Sequence, residues 1–287
     1  SIAQLMSRKK QALWAGVALS ALVGLGFYFA TARFIESDSR ERFANHARNA
    51  QNNINARIKS YTNVLRSAAS LFRTSYPLTR DQFHAFTSGL DLRTHFPAIE
   101  VMNYAQYVLD ADRPAFERQL RDEQRAGKFG GAPFQIVPPG KRPAYSVITF
   151  IEPDVPWDSA FGSDLEAKDE ARHYVMATSR DYGTMMASGL PVKVISTPSK
   201  VGLAMRLPLY RYGMPANNVA QRRKAYIGSI GIAFSVPKLI RGVLDEMPIN
   251  NVRLTLVDPV PPLATRDAVP DRVLFDSIAT DSDPDPA

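Results

Sequence analysis

A charge-free apolar run lies close to the start of the chain. Residues 12–32 (ALWAGVALSALVGLGFYFATA) are 21 positions without a charged side chain. At 1.5 Å per helical residue such a run spans about 31 Å, the thickness of a bilayer core. Three basic residues precede it, Arg8, Lys9 and Lys10, and this bias predicts a cytoplasmic segment at 1–11 with the remainder outside. The pattern predicts a transmembrane helix over residues 12–32.

A cleaved signal peptide is the alternative for the same run. Ala30, Thr31 and Ala32 have the small-x-small form that signal peptidase accepts. The run is long for the apolar core of a signal peptide, and a helical pattern follows it without a break. The sequence therefore favours the transmembrane helix and leaves cleavage open.

The next segment, residues 33–76, has the pattern of one long stalk helix. Residues 34–73 contain neither proline nor glycine, and a helix of that length extends about 60 Å. Apolar side chains recur there at spacings of three and four residues and so share one face: Ile54, Ile58, Tyr61, Leu65, Ala68 and Phe72. Such a stripe is typical of a helix packed along its own domain and equally of a seam between two parallel helices. Both interpretations stay open, and we expect a parallel homodimer through this helix.

Beyond Pro77 the pattern alternates between short strands and amphipathic helices. Helices are predicted at 81–93, 112–127, 168–181 and 236–247, and strands at 99–109, 134–137, 145–153, 191–195, 201–210, 225–235, 252–258 and 272–277. Runs of strands with helices segregated between them are typical of an α+β fold with antiparallel sheets. A polar loop at 211–224 is predicted to separate two sheets.

Composition and charge narrow the function classes. Most of the net charge of +7 comes from residues 33–73, which hold eight basic and three acidic side chains but no nucleic-acid-binding module, so no nucleic-acid partner is predicted. The absence of cysteine excludes disulfides, thiolate catalysis and cysteine-ligated metals. The four histidines have no metal-ligand spacing, and no catalytic serine or phosphate-loop motif is present. No cofactor, metal or catalytic residue is predicted.

Six carboxylates occupy residues 152–169, from the end of the predicted strand at 145–153 to the start of the predicted helix at 168–181: Glu152, Asp154, Asp158, Asp164, Glu166 and Asp169. Asp154 and Asp158 lie among prolines and a tryptophan, which is typical of solvated loop charges. Asp164 follows Phe-Gly-Ser at a chain reversal and fits either a helix N-cap or a hydrogen-bond acceptor in a pocket. A membrane-tethered hydrolase using Asp154 with Asp158 or Asp164 is the alternative function, although no nucleophile–base pair supports it.

Five blocks of the chain carry a family resemblance: FPAIEVMNYAQYV (96–108), PAYSVITFIEP (143–153), AFGSDLEAKDEARHYVMATSRDYG (160–183), GLAMRLPLY (202–210) and AYIGSIGIAFSVPKLI (225–240). Together they resemble the CHASE domain, the extracytoplasmic sensor of histidine kinases, adenylate cyclases, and diguanylate cyclases or phosphodiesterases. The resemblance implies two PAS-like lobes, a membrane-distal one at 77–212 that binds a small ligand and a membrane-proximal one at 213–287. It also implies a receptor of the inner or plasma membrane, with its sensor periplasmic or extracellular. Its output domain would be a cytoplasmic histidine kinase or cyclic-nucleotide enzyme.

The resemblance further implies a ligand site. In the family, an aspartate just before the helix that follows the central strand is the polar anchor, and Asp164 stands at that place. The strand after that helix supplies backbone contacts, and the strand 201–210 supplies an apolar wall. The implied ligand-binding residues are Asp164, Phe161, Ala187, Ser188, Val147, Thr149, Leu203 and Met205. Met205 and Arg206 stand where plant members, whose ligand is a cytokinin, carry smaller or hydroxylated residues, and this disfavours an adenine-type ligand.

Overall fold

The computed structural model describes residues 40–153, 160–167, 170–187, 192–193, 201–247, 255–258 and 272–276. The chain divides into two units, Ser1–Asn53 and Ile54–Ala287. The predicted transmembrane run at 12–32 lies outside the described residues. None of the helices within the described ranges combines the length and the hydropathy that a membrane crossing requires.

The first helix, α1, covers the described residues 40–75. Within the second unit its apolar stripe packs against the domain's own core. Tyr61, Leu65 and Phe72 are buried in the main core cluster, and Ile54 and Ile58 pack against the same cluster. Along residues 54–72 the stripe therefore packs along its own domain, which is the first of the two predicted interpretations. A homodimer through this helix stays a prediction, and its seam would need a different face of α1.

The remaining elements follow the predicted alternation of helix and strand. They are α2 (Arg80–Leu90), α3 (Leu92–His95), β1 (Ile99–Leu109), α4 (Arg113–Arg125), β2 (Ala144–Glu152), α5 (Glu170–Tyr182), β3 (Met186–Ala187), β4 (Val192–Lys193), β5 (Val201–Tyr210), α6 (Val219–Ala225), β6 (Tyr226–Ser235), α7 (Val236–Asp245), β7 (Thr255–Asp258) and β8 (Arg272–Asp276). Thr79 starts α2 through a capping box with Gln82, and Ser235 caps α7 by accepting from the amide of Lys238.

The main sheet is antiparallel and mixes strands that are distant in sequence. Its order is β2-β1-β6-β5-β3, and β4 also pairs with β5. The predicted α+β class with antiparallel strands is therefore confirmed. Because β5 and β6 are direct neighbours, residues 211–224 join two strands of one sheet, and the prediction that they separate two sheets is wrong. The short pair β7-β8 forms its own sheet, and the division into two PAS-like lobes stays a prediction.

The strand predicted at 134–137 does not form. Val137 makes a single bridge to Ser163, and Pro138 follows it directly. Since proline has no backbone N–H to donate, the pairing cannot extend past that point. The segment nevertheless contributes to a core, because Phe134 and Ile136 are buried against α4 side chains.

The two faces of the sheet are covered by different helices. On the first face, Met102, Tyr104 and Met205 belong to the main cluster, which also contains residues of α1, α2 and α7. On the second face, a smaller cluster joins Ala105, Ile148 and Met186 of the sheet to Met176 of α5. Alternation of side chains along each strand separates the two sets. The helix α4 packs over a third cluster, at the β2 side of the sheet, that includes Phe116, Tyr145 and Val147.

Candidate functional site

A buried arginine lies on the second face of the sheet. Arg206 in β5 is only 7 % exposed. Its Nε donates to Ser229 Oγ at 3.0 Å and its Nη2 donates to the Ser229 carbonyl at 2.9 Å. Its Nη1 donates to Asn103 Oδ1 at 2.6 Å. The guanidinium thus crosses β6 and reaches β1 through neutral oxygens.

Strand register explains how a long charged side chain fits there. Arg206 pairs with Gly231 of β6, and Gly231 pairs with Asn103 of β1. A Cβ at position 231 would lie 2.4 Å from Arg206 Nη1, which is closer than atoms approach. Gly231 therefore leaves the space that the guanidinium occupies. On the other side of β5, Met186 of β3 is the register partner of Arg206 and is buried in the second-face cluster.

The charge of Arg206 is not balanced by a carboxylate in the described part of the chain. All three of its hydrogen bonds go to neutral acceptors, and no ion pair joins it to a described acid. Burial lowers the pKa of Arg206 to about 10, Tyr226 opposes that effect, and the cation Arg172 of α5 adds to it. At neutral pH the side chain is still a cation, and it is held where water is largely excluded.

Asp164, the predicted polar anchor, is fully buried and fully engaged by the protein. It is 0 % exposed, and its Oδ2 accepts from Arg142 Nε at 2.9 Å. Its Oδ1 accepts from the amides of Ser146 at 2.9 Å and Glu166 at 3.2 Å. The carboxylate ties the segment 160–167 to the start of β2. Helix α5 begins only at Glu170. The described hydrogen bonds of Asp164 go to Arg142, Ser146 and Glu166 and not to the first turn of α5, so they do not make it the N-cap of that helix.

A second carboxylate, that of Glu166, makes a further chain of hydrogen bonds beside Asp164. Ser146 Oγ donates to Glu166 Oε1 at 2.5 Å, and Glu166 Oε2 lies 2.7 Å from His173 Nδ1 in α5. These contacts connect β2 to α5 through one carboxylate. Asp154, Asp158 and Asp169 lie outside the described residues, so the structure does not address the predicted hydrolytic pairs.

The predicted ligand residues near β2 form one group. Val147 is buried in the α4 cluster, and Phe161 packs against that cluster. Thr149 is buried and its hydroxyl has no hydrogen-bond partner in the described chain. It is the extra residue of a bulge, because Ile148 and Phe150 pair with the adjacent residues Ala105 and Tyr104 of β1. An unpartnered buried hydroxyl costs free energy, and a bound ligand could supply the missing bond.

The remaining predicted residues lie at the opposite side of the sheet. Met205 is buried in the main cluster on the first face, and Leu203 packs against that cluster. Ala187 is an exposed residue of β3, and Ser188 lies outside the described residues. Three strand spacings separate β2 from β5, about 14 Å at 4.8 Å each. The predicted ligand residues near β2 and those on β5, Leu203 and Met205, are therefore too far apart in the sheet to contact one another.

Other site types are not found in the described ranges. These residues contain no group of three or more histidines and acids that could hold a metal. A shallow surface depression on α4 is lined by residues such as Ala115, Arg118 and Asp122, and it includes none of the predicted ligand residues. The buried Arg206 was not predicted as a site residue. The sequence feature that could have indicated it is a basic residue inside an otherwise apolar strand. In the sequence analysis this residue was noted only as a difference from the plant receptors.

Comparison with known families gives one clear match. A family model described as the CHASE domain matches residues 77–275, well over half of the chain. No curated protein matches the chain. The matched range begins at Pro77, just before α2, and ends within β8.

Proposed function

The chain belongs to the CHASE domain family, whose members are extracytoplasmic sensory modules of receptors such as histidine kinases and cyclases, and from this premise we propose that it binds a small ligand and signals through α1. CHASE domains are sensory and not catalytic. The signal would reach a cytoplasmic output domain, a histidine kinase or a cyclic-nucleotide enzyme. The hydrolase alternative has no observation in its favour and is not proposed.

The packing of α1 carries the proposal. Tyr61, Leu65 and Phe72 of α1 are buried in the same cluster as Met102 and Tyr104 of the central strand β1. Interiors of this kind are close-packed and cannot absorb a shift of one element without moving its neighbour. A ligand that changes the position of the sheet would therefore move residues 54–75. Differential binding to two such arrangements is what a sensor requires.

The β2 group supplies a candidate contact for the ligand. Thr149 offers a buried, unpartnered hydroxyl, and Val147, Phe161 and Asp164 lie at the same side of the sheet. In this proposal Asp164 fixes the segment 160–167 that borders the site, through its bonds to Arg142 and to Ser146 and Glu166. The apolar neighbours would then contact the ligand body.

The experiment is to identify the small molecule that the full chain retains. Native mass spectrometry of the purified chain should show a bound small molecule, and denaturation should release it for identification. In Thr149→Val the hydroxyl is replaced by a methyl group of similar shape, so the variant should be at least as stable as the parent but retain less of the molecule.

A matched control is Thr87→Val. The hydroxyl of Thr87 is also buried, but it donates to the carbonyl of Phe83 at 3.0 Å. This variant should retain the small molecule at the parent level. Equal retention in Thr149→Val and the parent would remove Thr149 from the site, and a chain that retains no small molecule from any extract would contradict ligand binding.

The membrane topology is part of the same proposal. Residues 12–32 would cross the membrane, with 1–11 in the cytoplasm and the sensor outside it, as the basic residues before the run predict. Reporter domains that are active on only one side of the membrane can be fused after residue 40. A reporter that works outside the cytoplasm should be active at that position. Activity of a cytoplasmic reporter at that position would contradict the topology.

A further inference from the structure

We propose that the second face of the sheet binds the carboxylate of a small organic acid through Arg206. This inference rests on the proposed function, that the chain is a ligand-binding sensor, and it names the chemical class of one ligand. It places that ligand at β5 and β6, three strands across the sheet from the β2 group, so a small acid bound there does not contact Thr149.

The hydrogen-bonding capacity of Arg206 is incompletely used. A guanidinium has five N–H groups, and Arg206 donates through one N–H at each nitrogen, to Ser229 and Asn103. One N–H on Nη1 and one on Nη2 therefore have no acceptor in the described chain. These two nitrogens form the terminal fork of the guanidinium, and that fork matches the two oxygens of a carboxylate.

The neighbouring positions on the same face are small. Ala204 and Ala233 are register partners one step along the strands from the pair Arg206 and Gly231, and side chains two residues apart share a face. Both alanines are only half-buried. Glycine and alanine at these positions place no large side chain of β5 or β6 beside the guanidinium on this face.

The electrostatics favour an anion at this place. Arg206 is buried as a cation without a described counter-ion, and Arg172 of α5 is a second cation near enough to affect its pKa. Removing a charge from water without an opposite charge is costly, and a hydrogen-bonded anion offsets that cost. Asn103 and Ser229 hold the guanidinium in one orientation, so little freedom would be lost when the anion binds.

The test uses minimal carboxylates as probes. Thermal unfolding of the full chain is measured while acetate or succinate replaces chloride at constant pH and ionic strength, with inorganic phosphate as a separate series. The unfolding midpoint should rise with acetate or succinate, because a ligand that binds only the folded state stabilises it. A rise with phosphate alone, or no rise with any of the three, would overturn the carboxylate assignment.

Two variants locate the effect. Arg206→Gln should weaken the apparent affinity for the carboxylate by about 10- to 150-fold, the loss expected for hydrogen bonds to a charged group. Arg118→Gln changes an exposed arginine of α4 that lines the surface depression and lies outside β5 and β6, and it should respond as the parent does. An unchanged response in Arg206→Gln, or a lost response in Arg118→Gln, would contradict the assignment.

A third variant keeps the test decisive if Arg206→Gln does not fold. Asn103→Asp has nearly the same shape, keeps the oxygen that accepts from Nη1, and gives Arg206 an internal counter-ion. It should unfold at a higher temperature than the parent and lose its response to carboxylates. An Asn103→Asp variant that still responds like the parent would refute the proposal.

The failure of this inference is distinguishable from failure of the proposed function. If native mass spectrometry finds a neutral molecule bound while carboxylates have no effect, the chain is a ligand-binding sensor and Arg206 is not its anchor. If neither experiment detects binding, both proposals fail.

Discussion

Arg57 of α1 donates to the backbone carbonyl of Gly242 in α7 at 3.1 Å, although the two residues are 185 positions apart. The same nitrogen lies 2.5 Å from Glu246 Oε1. A Cβ at position 242 would lie 3.2 Å from Arg57 Nη1, so glycine there allows the close approach. The pair fastens the long helix to the helix that follows the central strand β6.

Arg57→Ala should loosen this attachment. The bond to the part-buried Gly242 carbonyl contributes more than the ion pair, because Glu246 is largely exposed and surface ion pairs contribute little. We expect the free energy of unfolding to fall by about 1 kcal/mol and amide exchange to accelerate around residues 54–60. Lys59→Ala, an exposed change on the same helix, is the control. Equal exchange in both variants would show that Arg57 does not hold α1.

Ile58→Lys tests the role of the apolar stripe. Because Ile58 packs against the main cluster, a lysine there should destabilise the domain by about 2–3 kcal/mol in urea unfolding. Exposed Arg66 can be changed to Ala as the control, with an effect within about 0.5 kcal/mol. A fully stable Ile58→Lys chain that converts from dimer to monomer in light scattering would instead assign the stripe to a dimer seam.

Asp164→Ala should be among the more costly single substitutions in the chain. It leaves the amides of Ser146 and Glu166 and the guanidinium of Arg142 without their acceptor, and we expect a loss of about 3 kcal/mol. Asp164→Asn keeps one oxygen that can accept from the amides, but its NH2 group would face the donor of Arg142. The loss in free energy of unfolding should therefore be smaller, about 1–2 kcal/mol. Urea unfolding measures both.

The exposed Asp122, which pairs with Arg125, provides the control for that series. Asp122→Ala should change stability by less than about 0.5 kcal/mol. If Asp164→Ala unfolds like the parent but no longer retains the small molecule, the carboxylate is a ligand anchor after all.

Acid should weaken the contact between α5 and α6 through Asp181. The two hydrogen bonds from Arg223, and after them the one from Arg180, lower the pKa of Asp181 from its ordinary value of 3.8 to about 2. A depressed carboxyl pKa gives stability that is complete above about pH 4 and is lost as pH falls towards about 2. Over that interval the unfolding free energy of the parent should fall more steeply than that of Asp181→Asn. Parallel curves would show that Asp181 is not coupled to folding.

Local patterns were predictable because their causes are local. The stripe that includes Tyr61, Leu65 and Phe72 follows the helical period, and its burial needs only one apolar surface beside it. The antiparallel class followed from consecutive strands. The position of β6 between β1 and β5 was not predictable, because strand order depends on side chains that meet across more than a hundred residues. For the same reason the loop at 211–224 was wrongly predicted to separate two sheets, whereas it joins the paired strands β5 and β6.

The candidate site shows the same limit. Asp164 was recognised as unusual from its place at a chain reversal, but its partners Arg142 and Ser146 belong to the preceding loop and strand. Arg206 meets Asn103 across 103 positions and Ser229 across 23. Nothing in a single sequence indicates that these three side chains share one face of a sheet.

The central position of β6 has a consequence for how the chain acquires its structure. Tyr104 of β1 donates to the carbonyl of Ile227 in β6, 123 positions later. The two strand backbones come so close there that a Cβ at Gly228 would lie 2.2 Å from the Ala105 carbonyl oxygen. Pairings of such long range slow folding, because closing the long intervening loop costs conformational entropy before the contacts form. During synthesis β1 keeps an unpaired edge until residue 235 has emerged, and the apolar sheet surface stays vulnerable to aggregation for that whole interval.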